Sequence, residues 1–242
     1  MLTMFDSYFD SFLEYGVLAS VFKGERGGDI KFSFHSVSIP QYCKKGFKGV
    51  DDSPFGGGVG MIMRADVLKS ALLEGVVAAG AYDPQKIKEQ LHIVCPAPRG
   101  EVWSHEKAKE FATNYLSSKS DKDIVFICGR YEGIDERFLE HYVDQYISLG
   151  DYILTGGELA VMTIIDSAMR LSPGVLGNKL SALEESFADS KLEHALYTRP
   201  RDFEGSVVPE ELSSGDHKRI ESFKQESSLK ITKKFRPDLL KK

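Results

Sequence analysis

The sequence predicts an α/β protein: an open, largely parallel sheet with helices on its faces, followed by a small helical C-terminal domain. Three observations carry that expectation. Apolar runs of strand length alternate with runs of helical period. Apolar density falls after Gly174, where a polar stretch leads into a charged, amphipathic one. A chain of 242 residues, 42% hydrophobic and 28% charged, suits one main globular domain with an appendage. The expected division is residues 1–176, a linker at 177–190, and a helical unit at 191–242.

Taken in order, "MLTMF" is short and apolar, as a first strand is. Asp6 or Ser7 can cap a helix whose Phe9, Phe12, Leu13, Val17 and Val21 recur at helical spacing. "DIKFSFHSV" alternates Ile30, Phe32 and Phe34, the pattern of a half-buried strand. "RADVLKSALLEGVVAAG" reads as helix, "LHIVC" as strand, "SHEKAKEFATNYLSS" as helix and "DIVFICG" as a buried strand. Tyr152 to Leu154 look extended, Gly156-Gly157 turn, and Glu158 to Leu171 form an apolar helix ended by Pro173-Gly174. "VLGNKLSALEESFADSKLE" reads as a polar linker, and "SGDHKRIESFKQESSL" as a helix behind an Asp216 or Ser214 cap.

The net charge of −5 argues against a protein that coats nucleic acid by bulk electrostatics. Its distribution is uneven. Residues 199–242 hold 11 Lys/Arg against 8 Asp/Glu, net +3, leaving 20 against 28, net −8, for residues 1–198. A basic tail on an acidic body suits local docking of RNA, and equally a solvated charge run. Cys43, Cys95 and Cys128 form no CxxC pair and the six histidines no HExxH, so neither disulfides nor a built-in zinc site is expected. The start lacks the positive charge of a secretory signal, and "VLKSALLEGVVAAGAY" is broken by Lys69 and Glu74, which points to the cytoplasm.

Three glycine-rich stretches stand out: "DDSPFGGGVGMIM", "CGRYEGIDER" and "GDYILTGGEL". None fits a dinucleotide-binding GxGxxG or a P-loop, and singly each reads as a structural turn more readily than as a ligand loop. Placement changes this. The second and third each follow an extended run, which puts them at the carboxyl edge of the sheet, where open α/β sheets bind ligands.

Together with "GRYEGIDERF", "SLGDYILTGGELAVMTIIDSAMRLSPGVLG", "YTRP" and "SGDHKRI", the first stretch resembles the bacterial tRNA (guanine-N1)-methyltransferases, which methylate guanosine 37 beside the anticodon. The motifs run in order over most of the chain. Departures are "SIPQYCKKGFKG" before Val50, "CPAPRG" at 95–100, Ala160 after "GGEL" and Asp216 in place of Asn. The resemblance implies a SPOUT-type fold with a trefoil knot in the main domain, an obligate homodimer with its site at the subunit interface, and tRNA docked by the C-terminal domain. It implies S-adenosylmethionine bent in the knot, against Pro98, Gly129, Tyr131, Glu132, Gly133, Ser148, Leu149, Gly150, Tyr152, Leu154, Gly156 and Gly157.

Methylation at guanine N1 needs a base for the N1 proton and a cation for the charge that develops at O6. By resemblance Arg170 is the cation; by position alone it is a helix C-terminal arginine complementing the dipole. Glu132 faces the methionyl amine or a magnesium ion by resemblance, or pairs with Arg130 or Arg137 as a bland surface charge. Glu185, in "LEESF", stands where the family has its aspartate base; it keeps the carboxylate and adds a methylene. Asp189 is the alternative base. A knotted RNA-binding or cofactor-sensing protein without catalysis, and an enzyme of another nucleoside, are the competing readings.

Overall fold

The computed structural model describes residues 1–28, 30–43, 49–178 and 185–241. The chain divides into two units, Met1–Gly177 and Asn178–Lys242.

In the first unit, β5 (Leu91–Val102) lies between β6 (Asp123–Phe126) and β7 (Gln145–Ser148), parallel to both. Leu2 of β1 (Leu2–Thr3) bridges Ile127 in parallel, and β1 pairs in parallel with β2 (Val37–Ser38). The strand order is therefore β2-β1-β6-β5-β7. Both faces are buried, and side-chain alternation divides them. Ile93, Cys95, Val125 and Ile127 enter one core with Leu68, Leu72 and Phe138. Val94, Phe126 and Cys128 enter the other with Phe9, Phe111, Val161 and Ile164.

The first core is covered by α3 (Ala65–Ser70), which widens into π-type hydrogen bonding over Ala71–Ala78, and by α6 (Glu136–Tyr142). The second is covered by α5 (His105–Tyr115) and α7 (Gly157–Met169). Caps fix two of these helices. The Ser104 side chain accepts from the amide of Lys107, and Asp135 from the amide of Arg137. A short antiparallel pair, β3 (Asp51–Asp52) with β4 (Ile62–Met63), encloses the first glycine-rich stretch.

Three expectations change. The N-terminal helix is broken: a 3-10 turn at Asp6–Phe9 leads to α1 (Asp10–Glu14), and after Tyr15 a new helix, α2 (Gly16–Phe22), starts at Gly16 with φ of +88°. Neither Asp6 nor Ser7 supplies a side-chain cap. The alternating segment 30–36 is not a strand; only Val37–Ser38 joins the sheet. Its partner β1 offers two residues of ladder, so Phe34 is held by packing on Phe9 and Phe22 instead, with ring centroids at 5.2 and 5.6 Å. Third, β5 outlasts "LHIVC". It bulges between Pro96 and Glu101, both paired with Ile147, and resumes to Val102.

In the second unit, α8 (His217–Phe235) is capped by Asp216, whose carboxylate accepts from the amides of Lys218 and Arg219. Hydroxyls on one face of α8 hold an extended segment. Thr232 Oγ1 accepts from the amide of Leu192, Ser228 Oγ donates to its carbonyl, and Ser227 Oγ accepts from the amide of Ala195. A hairpin, β8 (Asp202–Phe203) with β9 (Ser206–Val207), precedes the helix. Lys218, Arg219, Lys230, Lys233, Lys234 and Arg236 are exposed on or just beyond α8. Among the described residues, no helix is long and apolar enough to cross a membrane.

Candidate methyl-donor site

Parallel strands end on the same edge, so the carboxyl ends of β5, β6 and β7 gather their loops side by side. Pro98 sits in the bulge of β5, residues 129–135 follow β6, and residues 148–157 join β7 to α7. All twelve candidate donor contacts lie on these three loops. Direct bonds tie them: Gly157 donates its amide to the carbonyl of Gly129 at 2.9 Å, and Trp103 donates to the carbonyl of Ser148 at 2.7 Å. Within the β7 loop, the Ser148 hydroxyl accepts from the amide of Gly150 at 3.2 Å, and the amide of Tyr152 bonds the carbonyl of Gly150 at 2.9 Å. The loop after β6 is held from its other side by β4. Glu132 donates its amide to Met61, Met63 to Gly133, and Asp135 to Met63.

This edge exposes large apolar side chains. Tyr131, Tyr152, Ile153 and Leu154 stand in solvent, as do Phe55 and Val59 of the first glycine-rich stretch. Exposed apolar side chains in such number are what a candidate binding surface offers. The glycines differ in what they serve. At Gly133, φ is +134° and an added Cβ would meet nothing within 4 Å, so its backbone is open to a ligand. At Gly157 a Cβ would lie 2.8 Å from Cys128 Cα, and at Gly156 it would strike the Arg130 guanidinium, so at these two the lack of a Cβ lets protein approach protein closely.

The ionisable residues are distributed unexpectedly. Glu132 is exposed and pairs with neither Arg130 nor Arg137: the former is bound to Glu158 and the latter to Asp135. Its side chain packs over Gly60, tying the first glycine-rich stretch to the second. Arg170 is the C-cap residue of α7. At about 1.5 Å of rise per residue it lies roughly 20 Å along the helix from Gly157. Glu185 belongs to the second unit, in a turn where its carbonyl accepts from the amide of Ala188. Asp189, the alternative base, is exposed and paired with Lys191 at 2.8 Å. Glu184 and residues 44–48 lie outside the described residues.

Burial pushes the Cys95 thiol up to about 12 and the Cys128 thiol higher still, so both are packing groups, not nucleophiles. A cavity of about 680 Å³ lies elsewhere, between segment 30–37 and the edge of β6, lined by Phe22, Phe32, Phe34 and Phe126. None of the glycine-rich loops lines it, so chemistry and not size locates the site.

With that geometry in place, likeness to known proteins decides the family. The pattern of the family described as tRNA (Guanine-1)-methyltransferase TrmD matches residues 1–242. The chain belongs to that family. Among its relatives, the tRNA (guanine-N(1)-)-methyltransferases of Staphylococcus aureus strains JH9, Newman and N315 are each 40% identical over 241 residues, covering all of this chain and 89% of theirs. The family match reaches both units, so the shelf of the first and the basic helix of the second belong to one enzyme type.

Sequence reading passed over two residues of this edge. Glu158, in the first turn of α7, is fully buried, and Thr3 of β1 donates its hydroxyl to it at 2.9 Å. A lone carboxylate opening the apolar run "ELAVMTII" was the available signal.

Proposed function

We propose that the chain transfers a methyl group from S-adenosylmethionine to N1 of guanosine 37 in tRNA, working as a homodimer in the cytoplasm with a SPOUT-type knot formed by its carboxyl-edge loops. The observation that carries this reading is that a full-length family match coincides with three loops gathered at one sheet edge. The residues present fit the donor. Tyr131, Tyr152 and Leu154 offer apolar faces to a flat base, Gly133 and Gly150 offer backbone without a Cβ, and Glu132 offers a carboxylate to the methionyl amine.

S-adenosylmethionine supplies an electrophilic methyl on a positive sulfur. The chain's residues prepare the nucleophile. Glu185 takes the N1 proton, and Arg170 stabilises the negative charge that this places on O6 until N1 is methylated. The roughly 20 Å of α7 between Gly157 and Arg170 favours a site in which Arg170 of one subunit serves the loops of the other. The proton transfer is assigned to Glu185 and the charge at O6 to Arg170, with Glu132 the carboxylate that would face a magnesium ion if one joins the donor.

For tRNA, Arg199, Arg201 and the exposed cations of α8 provide phosphate contacts, and binding should weaken steeply with salt. The deciding experiment incubates the protein with labelled S-adenosylmethionine and unmodified tRNA carrying guanosine at 36 and 37, then digests the product and identifies the modified nucleoside. N1-methylguanosine at 37 is expected. Donor binding without transfer would leave a cofactor-sensing protein, and another modified base a different substrate.

A further inference from the structure

Arg130 makes an unusual number of contacts for a loop residue. Its Nη2 lies 2.8 Å from Glu158 Oε2, its Nε donates to Glu158 Oε1 at 3.3 Å, and its Nη1 donates to the carbonyl of Thr155 at 3.2 Å. Its guanidinium carbon stands 4.8 Å from the ring centre of Phe5 and 5.6 Å from that of Tyr8. Glu158 is fully buried and Arg130 nearly so, with 16% of its side chain exposed. The contact at Oε2 is an ion pair by distance without the angle of a hydrogen bond, so the firm bonds run through Oε1. Thr3, which donates to that same oxygen, also accepts from the amide of Phe5. Three separate parts of the chain thus meet on one ion pair: the N-terminal strand, the loop after β6 and the start of α7.

A buried ion pair is a poor stabilising device. Its desolvation cost offsets most of the Coulomb gain, and apolar replacements of similar shape are often neutral or better for stability. What it supplies is geometry. The planar fork of arginine fixes distance and direction together, which no apolar contact does. Gly156 shows how closely the spacing is set, because a single Cβ there would strike Arg130 and lie 2.7 Å from Glu158 Oε2.

We propose that Arg130 and Glu158, steadied by Thr3, are positioning residues that clamp the 129–133 loop to the 150–157 loop and so hold the donor shelf at its working separation. They touch no reacting atom. Tyr131, Glu132 and Gly133 follow Arg130 directly, and Tyr152 and Leu154 come just before Thr155, so a slackened clamp lets the two halves of the shelf drift apart. The inference rests on the donor-site reading above, and the test separates the two.

Single changes such as Arg130→Met or Glu158→Gln disturb stability as well, since each leaves a partner buried without its charge complement. The informative protein is the double variant Arg130→Met/Glu158→Leu, which removes both charges and restores an apolar fit. Its melting temperature should return close to that of the wild type. Donor KM should nonetheless stay raised roughly ten- to a hundredfold, with tRNA KM within about twofold, because misplacement persists. Amide exchange in the protein without donor should quicken at 129–133 and 150–157 and stay unchanged in β5 and α5.

Wild-type donor KM in the double variant, or unchanged exchange in both loops, would overturn the clamp. If the wild-type protein itself binds no S-adenosylmethionine, the donor-site reading fails, and loop exchange still decides the clamp.

Discussion

Glu185 carries one methylene more than the aspartate base that the family resemblance implies in "LEESF", and an oxygen shifted by about an ångström can cost roughly a hundredfold. Ser186 accepts from the amide of Glu193, and Phe187 adopts φ of +76°, so the backbone beside Glu185 is set by its own bonds and the extra methylene falls to the side chain to absorb. We expect Glu185→Gln to lower methyl transfer by about a hundredfold or more while donor affinity, followed by calorimetry, stays unchanged. Undiminished turnover would take Glu185 out of the mechanism. Asp135 gives a residue-scale prediction about stability. Its hydrogen bonds to Arg137 hold its carboxyl below the ordinary 3.8. A carboxylate depressed in the fold stabilises above its unfolded value and loses that contribution as pH falls through the folded one. Asp135→Ala should therefore cost about 1 kcal/mol at neutral pH, mostly through the lost cap, and progressively less below pH 3.8.

Helix α8 shows an element that its own sequence specifies. Asp216 caps it, its apolar residues recur at helical period, and basic residues close its last turn beside the negative end of the dipole. Asp216, where the resemblance implies an Asn, looks at first like a charge set against RNA; the structure gives it a local task, accepting from two amides that either residue type could cap. Asp216→Asn should leave the thermal midpoint within a degree or two, whereas Asp216→Ala should cost the second unit about 1 kcal/mol, read by denaturant melts. Segment 30–36 shows the opposite case. Its alternation is a true signal of burial on one side, and Phe34 is packed accordingly, but a strand also needs a neighbour with open backbone groups. That requirement is not written in the segment itself.

At the scale of the whole molecule, α7 separates the two sets of residues that the proposed mechanism uses. Its first residue is bonded to the donor loops and its last is followed by Arg170. Subunit sharing then has a direct test. Glu132→Ala and Arg170→Ala proteins, each inactive alone, should recover about a quarter of wild-type activity when unfolded together and refolded in equal amounts, because half the dimers carry one intact site. No recovery would place both residues in the same subunit's site.

The sequence by itself determined the alternation of strands and helices, the glycine-rich loops at the carboxyl edge, the capped basic helix and the family, because each depends on short-range pattern or on motifs in order. Only the tertiary structure decided which partner each charge takes. Arg130 meets Glu158 and not Glu132, Gly156 lies where a Cβ would strike a guanidinium, and Thr3 reaches across 155 positions to the same carboxylate. Those outcomes depend on residues far apart in the chain converging where parallel strands end, and no local spacing encodes that convergence.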